Sequence, residues 1–303
     1  MRKNKTQQIV YGAMMLAIYS MFMLLDRYSG GMLYVFLYYF LPLPFVVYGL
    51  RYGTNLQGAM IFCSIVLGFM LGLPETAFFG VTAVTVSYII VSSIKKNWSG
   101  TVTVLFIMIV TILSQILSVT IFASLFGYNM AEEIQYILST VQEVANQLAL
   151  QTMVISEQRI KVIFAFSTIL MGCLEAFLFT TLSDLILLRL KMARVPKFSL
   201  YQLRIPEIVG ILFIIVLFLQ TKYNTDLVLF SYLTLWMMIL AQGLSYCFFL
   251  NATIWKKPKL NALAFLGCFI PIVNYFITCM GLIDIFNSGN REKILYNIIQ
   301  RGE

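Results

Sequence analysis

The side chains best placed to do chemistry in this sequence are a few polar groups stranded in long apolar runs. Glu175 lies fourteen residues after Lys161 and fourteen before Arg189, at the middle of an otherwise apolar stretch. Gln115 and Gln242 occupy the middles of two other such stretches. A carboxylate at the centre of a bilayer costs about 2.5–3.5 kcal/mol on insertion scales, so one kept there must face protein groups or a wet cavity. Glu175, Gln115 and Gln242 are therefore the candidate substrate-binding groups. If Glu175 is only structural, it is a protonated carboxyl bonded to a neighbour such as Gln115. Asp184 falls nearer the end of its stretch, where Arg189 or Arg194 can pair with it at the interface.

Other chemistry is excluded by what the chain lacks. It contains no histidine, which removes the usual general base, proton relay and nitrogen metal ligand. Cys63, Cys173, Cys247, Cys268 and Cys279 stand singly, so no CxxC redox or zinc pair is available. They read as small buried hydrophobes. There is no G-x-x-x-x-G-K-[ST] phosphate loop, no HExxH, no GxSxG and no acidic cluster of the DDxxD kind to hold Mg²⁺. The expectation is a protein with no catalytic residue, no metal site and no cofactor: not an enzyme.

The elements that must position these groups follow from composition. Hydrophobic residues make up 60% of the chain, charged residues 11%, and mean hydropathy is +0.87. A soluble domain carries about 25% charged residues, so a soluble fold would have too little polar surface to show water. The partner of this surface is a lipid bilayer. At about 20 apolar residues per span, candidates are 9–25, 32–50, 55–73, 76–94, 101–126, 161–188, 206–221, 227–250 and 261–285. The first follows a basic start without a small-residue cleavage site and is expected to be retained. Pro42 and Pro44 should break the second, and Gly72-Leu73-Pro74-Glu75 should turn tightly between the third and fourth.

Charge sets the orientation. The excess is 21 Lys+Arg over 13 Asp+Glu, scattered in short clusters that suit cytoplasmic loops and not nucleic acid. With the N-terminus inside and segments alternating, inner segments carry fourteen basic residues and outer ones four, namely Arg27, Arg159, Lys161 and Lys222. Nine full spans would place the tail, with Arg291, Lys293 and Arg301, outside. The alternatives are a re-entrant bend at Pro271 or a count off by one. The long outer segment repeats Ile134, Leu138, Val141, Ala145, Leu148 and Ile155 at 4-3-4-3 spacing, with Thr152 in the gap, and predicts an amphipathic helix over 131–156. It rests on the bundle or serves as a lid. The chain therefore divides into a transmembrane core at 1–190, a basic cytoplasmic connector at 191–205 and an extension with tail at 206–303.

Two small-residue patterns can bring helices together. Ala13 and Ala17 share a face of the first span, and Gly68 and Gly72 share one of the third. Each serves internal packing or a partner interface.

Taken in order, the first half has a family likeness. A basic start and A-x-x-x-A lead to a proline-broken second span with Pro42-Leu43-Pro44, then Gly49-Leu50-Arg51-Tyr52-Gly53 and a Gly-rich third span. This resembles the substrate-binding S components of energy-coupling-factor (ECF) transporters. The longer layout is similar to the YybS-type, DUF2232 group of bacterial membrane proteins, in which an S-component-like bundle is followed by extra spans. The stretch from Phe198 through Gln202, Leu203 and Arg204 to Pro206 resembles its connector, and Gln242-Gly243 and Gly281-Leu282-Ile283-Asp284 resemble its C-terminal spans.

The likeness implies an all-α polytopic membrane protein, with a six-helix core and about three added spans, in a bacterial plasma membrane. It also implies that Ala13 and Ala17 meet an ECF-type coupling protein, which works with ATPases. Two functions are consistent with this reading. One is binding or transport of a small-molecule substrate, energised by separate partners. The other is a membrane scaffold or regulator that holds partner proteins.

Overall fold

The computed structural model describes residues 5–122, 129–147, 157–196, 203–223, 225–255, 260–268, 270–287 and 291. Among these, every regular element is helical. The order is α1 (Lys5–Tyr28), α2 (Tyr34–Leu37), a 3₁₀ turn (Tyr38–Phe40), α3 (Pro42–Tyr52), α4 (Thr54–Leu71), α5 (Pro74–Lys95) and α6 (Gly100–Leu117), which runs into a π turn over Ser118–Phe122. Then come α7 (Met130–Gln147), α8 (Glu157–Arg189), α9 (Glu207–Lys222), α10 (Asp226–Thr253), α11 (Leu260–Gly267) and α12 (Pro271–Phe286). Seven of the described helical segments are long and apolar enough to cross a membrane, counting Tyr34–Tyr52 as one. The protein is an all-α, multi-pass membrane protein.

The prolines act as expected. Pro42 has no N–H to give the Tyr38 carbonyl, and Pro44 none for Phe40. The helix therefore tightens to 3₁₀ over Tyr38–Phe40 and restarts with Pro42 in the first turn of α3. The Gly72-Leu73 pair is extended, and Pro74 opens α5. Between α3 and α4 a single residue, Gly53, makes the break at φ 113°, a conformation open to glycine and strained for any side chain.

Nine full spans are not what is seen. The seventh expected segment is the sixteen-residue α9, about 24 Å long at 1.5 Å per residue, short of the ~30 Å hydrocarbon core. The ninth is divided ahead of Pro271 into α11, eight residues, and α12, sixteen. Conversely α8 has 33 residues, about 50 Å, and runs well past the length of one span. The amphipathic segment is helical as α7, with Ile134 buried and Glu132 and Glu143 exposed; residues 148–156 lie outside the described residues, as do 197–202 of the connector.

The chain forms two compact units, Met1–Ala149 with Ser167–Phe198 and Leu150–Phe166 with Ser199–Glu303. In the first, α5 is the central helix. It packs on α3, α4 and α6, and its buried face is rich in Thr, Ala, Gly and Ser. Lipid tails are as apolar as leucine side chains, so close backbone approach and polar contacts hold such helices together. Tyr19 from α1 lies against both Gly68 and Gly80, where an added Cβ would come within 2.9 and 2.6 Å of its hydroxyl. The Gly68–Gly72 pattern therefore serves packing inside this unit. Polar ties reinforce it: Gln57 donates to Ser87 at 3.3 Å, and Lys95 to the Gly49 carbonyl at 2.7 Å.

In the second unit α10 packs on α9, α11 and α12. Gly281 faces Ile239 and Gly243 faces Ile277, so α10 and α12 run antiparallel.

The cysteines correct one expectation. None is buried: Cys63 and Cys279 are exposed and the other three half-buried. A bilayer is as apolar as a core, so a thiol on the outer face of a spanning helix needs no burial.

Candidate functional site

The first unit brings Glu175 and Gln115 together. Glu175, from the middle of α8, is 3% exposed. Its Oε1 accepts the Gln115 amide of α6 at 2.6 Å, and its Oε2 accepts the Tyr38 hydroxyl at 3.4 Å. Among the described residues no Lys or Arg forms an ion pair with it. One turn away Thr111 donates to the Gly172 carbonyl at 2.7 Å. Gly172 has no room for a Cβ, which would stand 2.8 Å from Ile112 Cα. This close α6–α8 approach sets the carboxylate beside the amide.

Tyr38 is the member that sequence reasoning missed. It sits in the 3₁₀ turn forced by Pro42 and Pro44, which turns its ring inward against Phe179 and Phe79 at 4.9 and 5.6 Å between centroids. Tyr34 and Tyr39 pack on the same ring, each at 5.3 Å. The available signal was the tyrosine-rich run Tyr34, Tyr38, Tyr39 just ahead of Pro42. Glu175 is thus a buried carboxyl with two donors aimed at it behind an aromatic wall. An amide and a phenol orient a carboxyl; they do not supply a nucleophile–base pair.

Gln242 is not part of that cluster; it lies in the second unit. Its oxygen accepts the Ile205 N–H at 3.0 Å and its nitrogen donates to Asp284 at 2.5 Å. Asp284 is bound bidentately by Arg291, with Nε at 2.9 Å from Oδ1. The same guanidinium donates to Ser245 at 3.1 Å and lies over the rings of Tyr246 and Phe249. Both charged side chains are under 5% exposed. Arg291, counted from sequence as part of the tail, is a buried partner. A cavity of about 280 Å³ lies beside the network, lined by Arg204, Glu207, Gln242, Asp284 and Arg291 among others.

Two further acids complete the inventory. Asp184 is buried and accepts the Val195 N–H at 3.1 Å. Among the described residues, neither carboxyl oxygen of Asp26, 2% exposed at the end of α1, meets a donor at good hydrogen-bonding geometry. The nearby Thr76 hydroxyl donates to Leu73 and the Tyr34 amide to Gly31. The candidate interface residues Ala13 and Ala17 both lie on the exposed face of α1, while the adjacent Gly12 is buried.

A family model described as a predicted membrane protein, DUF2232, matches residues 17–285. The chain belongs to that family. No curated protein and no solved structure matches it.

Proposed function

We propose that this DUF2232 family member is the solute-binding subunit of a membrane transport system, energised by separate partners, with Glu175 as the group that takes the solute. The observation that carries the reading is a buried carboxyl in a membrane-spanning helix, held by donors from α6 and from a broken span and, among the described residues, in no ion pair with Lys or Arg. Ionisable groups at such depth mark substrate or ion pathways by default. The reading is of a binding protein and not of an enzyme, resting on groups that orient without transforming.

Glu175→Gln keeps shape and hydrogen-bonding capacity, so the variant is expected to fold. It should retain at least tenfold less of any small molecule that mass spectrometry finds released from purified wild type. Glu175→Leu should lose more, because it also strands the Gln115 amide and the Tyr38 hydroxyl, at about 1–3 kcal/mol per unsatisfied group. Unchanged retention in the Leu variant would sink the assignment. An ECF-type coupling protein and ATPases in the eluate would agree with it.

The exposure of Ala13 and Ala17 suits a scaffold as well as the docking of a coupling protein. A small-residue face pointing out of its own unit invites a second helix. Changing both to Leu should abolish partner co-purification and leave the protein monodisperse, because neither residue packs inside the first unit. A soluble signalling or envelope enzyme as the lost partner would favour the scaffold. A misfolded double variant would remove the interface altogether.

The location proposed is a bacterial plasma membrane with the N-terminus inside; over the six spans up to the connector, the part of the basic count that does not depend on α9 crossing, inner segments carry eleven basic residues and outer ones three. In a background lacking the five native cysteines, Cys at position 199 should label from inside and Cys at position 147 from outside. Labelling of both from one side would overturn this topology.

A further inference from the structure

The two oxygens of Glu175 are held unequally. Oε1 accepts the Gln115 amide at 2.6 Å, whereas the Tyr38 hydroxyl stands 3.4 Å from Oε2. An ordinary O–H···O bond measures about 2.5–3.0 Å, so Oε2 is the oxygen a solute can take. A carboxyl buried in this way is either protonated or paired with a cation. Among the described residues no Lys or Arg forms an ion pair with it, and a cationic solute supplies that partner.

The surroundings suit a cation with an organic body. Phe179 lies one turn beyond Glu175 on the same face of α8. Tyr38 and Tyr39 pack on its ring at 4.9 and 5.4 Å between centroids. Phe79 and Tyr34 complete the cluster, 5.2 Å from each other. Aromatic faces attract an ammonium group, most strongly one stripped of water. A metal ion needs several ligands of its own, and among the described residues no three acids, cysteines or histidines come together to hold one.

The charge around the cluster has the matching sign. Phe79 sits one turn inside Glu75, which is exposed in the first turn of α5. Asp26 is a second acid at that end; with it is Arg27, exposed, its guanidinium 3.4 Å from the Leu71 carbonyl. Lys95 lies at the opposite end of α5. Between Lys96 and Arg159 the chain carries Glu132, Glu133, Glu143 and Glu157 and no Lys or Arg. Fields of one sign concentrate ligands of the other. Tyr34 and Tyr39 are only half-buried, so the aromatic cluster is not sealed.

We propose that the solute of this site is an organic ammonium ion, its nitrogen against Oε2 of Glu175 and its body against the rings of Tyr38, Tyr39 and Phe179. The inference rests on Glu175 being the solute-binding group and names the chemical class of the solute.

The test is calorimetric titration of the full chain in detergent with two charged probes and their neutral counterparts: choline against dimethylbutanol, and benzylammonium against benzyl alcohol. At least one ammonium probe should bind about tenfold or more tighter than its counterpart. Glu175→Gln should erase that difference. Tyr39→Phe keeps the ring and should keep the preference, whereas Tyr39→Leu should weaken ammonium binding about fivefold and leave the neutral compound unchanged. Tyr39 is half-buried, so this comparison does not depend on the folding of a Glu175 variant. Equal binding within both pairs, binding of neither charged probe, or an ammonium preference that survives Glu175→Gln would overturn the proposal. The solute released from purified wild type separates the two readings. If its retention depends on Glu175 but it is neutral or anionic, Glu175 remains the binding group and the ammonium class falls. If its retention does not depend on Glu175, the binding assignment itself falls.

Discussion

Asp284→Leu is expected to cost the second unit about 3–5 kcal/mol, because it leaves the Arg291 guanidinium buried without its counter-charge. The pair is bidentate and both side chains are under 5% exposed; water or Glu207 entering from the adjoining cavity would bring the loss toward the lower end of that range. The thermal midpoint of the detergent-solubilised protein should fall by many degrees. The double variant Asp284→Leu with Arg291→Met is the informative companion. Replacing both members of a buried ion pair by apolar residues is often neutral or stabilising, so most of the loss should return. Recovery should stop short of wild type, because the Gln242 amide also loses its acceptor on Asp284, a deficit of about 1–3 kcal/mol. If the single variant melts with wild type, the pair does not hold this unit together. If the double variant is no better than the single, Arg291 contributes something other than charge, such as its stacking on Tyr246 and Phe249.

The same network shows where sequence reasoning stops. Counting basic residues places Arg291 beyond the last span, since the positive-inside rule treats lysine and arginine as surface groups. Nothing in the spacing says that residue 291 lies back against residue 284. Mid-span polarity groups Gln242 with Glu175 and Gln115. Chemistry alone cannot tell which polar groups share a bundle, and here Gln242 serves Ile205 and Asp284. The Glu175–Gln115 contact was legible in part, because a carboxyl at mid-membrane must find a donor and Gln115 is one of the mid-span donors. Tyr38 was not, since a tyrosine in an apolar run has no period that points to it. Its position is a consequence of the helix break at Pro42 and Pro44, which was itself legible from the missing N–H groups. For Ala13 and Ala17 spacing established a shared face but not its direction; only the packing of α1 shows it turned outward. The seven long spans follow from hydropathy, whereas the short α9 and the divided α11–α12 segment depend on where each helix ends inside an apolar run.

Gly243→Ala and Gly281→Ala should each be severe for so small a change. A Cβ at Gly243 would run into the Ile277 carbonyl oxygen, and one at Gly281 into the Ile239 carbonyl oxygen and to 2.8 Å from the Gly243 nitrogen. These obstacles are backbone atoms, not flexible side-chain ends, so relief requires α10 and α12 to move apart. That separation also lengthens the Gln242–Asp284 hydrogen bond one turn away. Overpacking a tight contact ordinarily costs about 1–3 kcal/mol and sometimes more; a blocked backbone crossing belongs at or above the top of that range. Leucine at either position should leave no folded second unit. Gly58→Ala is the control. Gly58 lies in α4 with nothing within 4 Å of its would-be Cβ, so alanine there should be neutral or stabilise by up to about 1 kcal/mol through helix propensity. Thermal melts of the three alanine variants in one detergent decide the matter. Equal midpoints for all three would mean that the glycine crossing does not set the α10–α12 distance; low midpoints for Gly243→Ala and Gly281→Ala, with Gly58→Ala at or above wild type, would establish that it does.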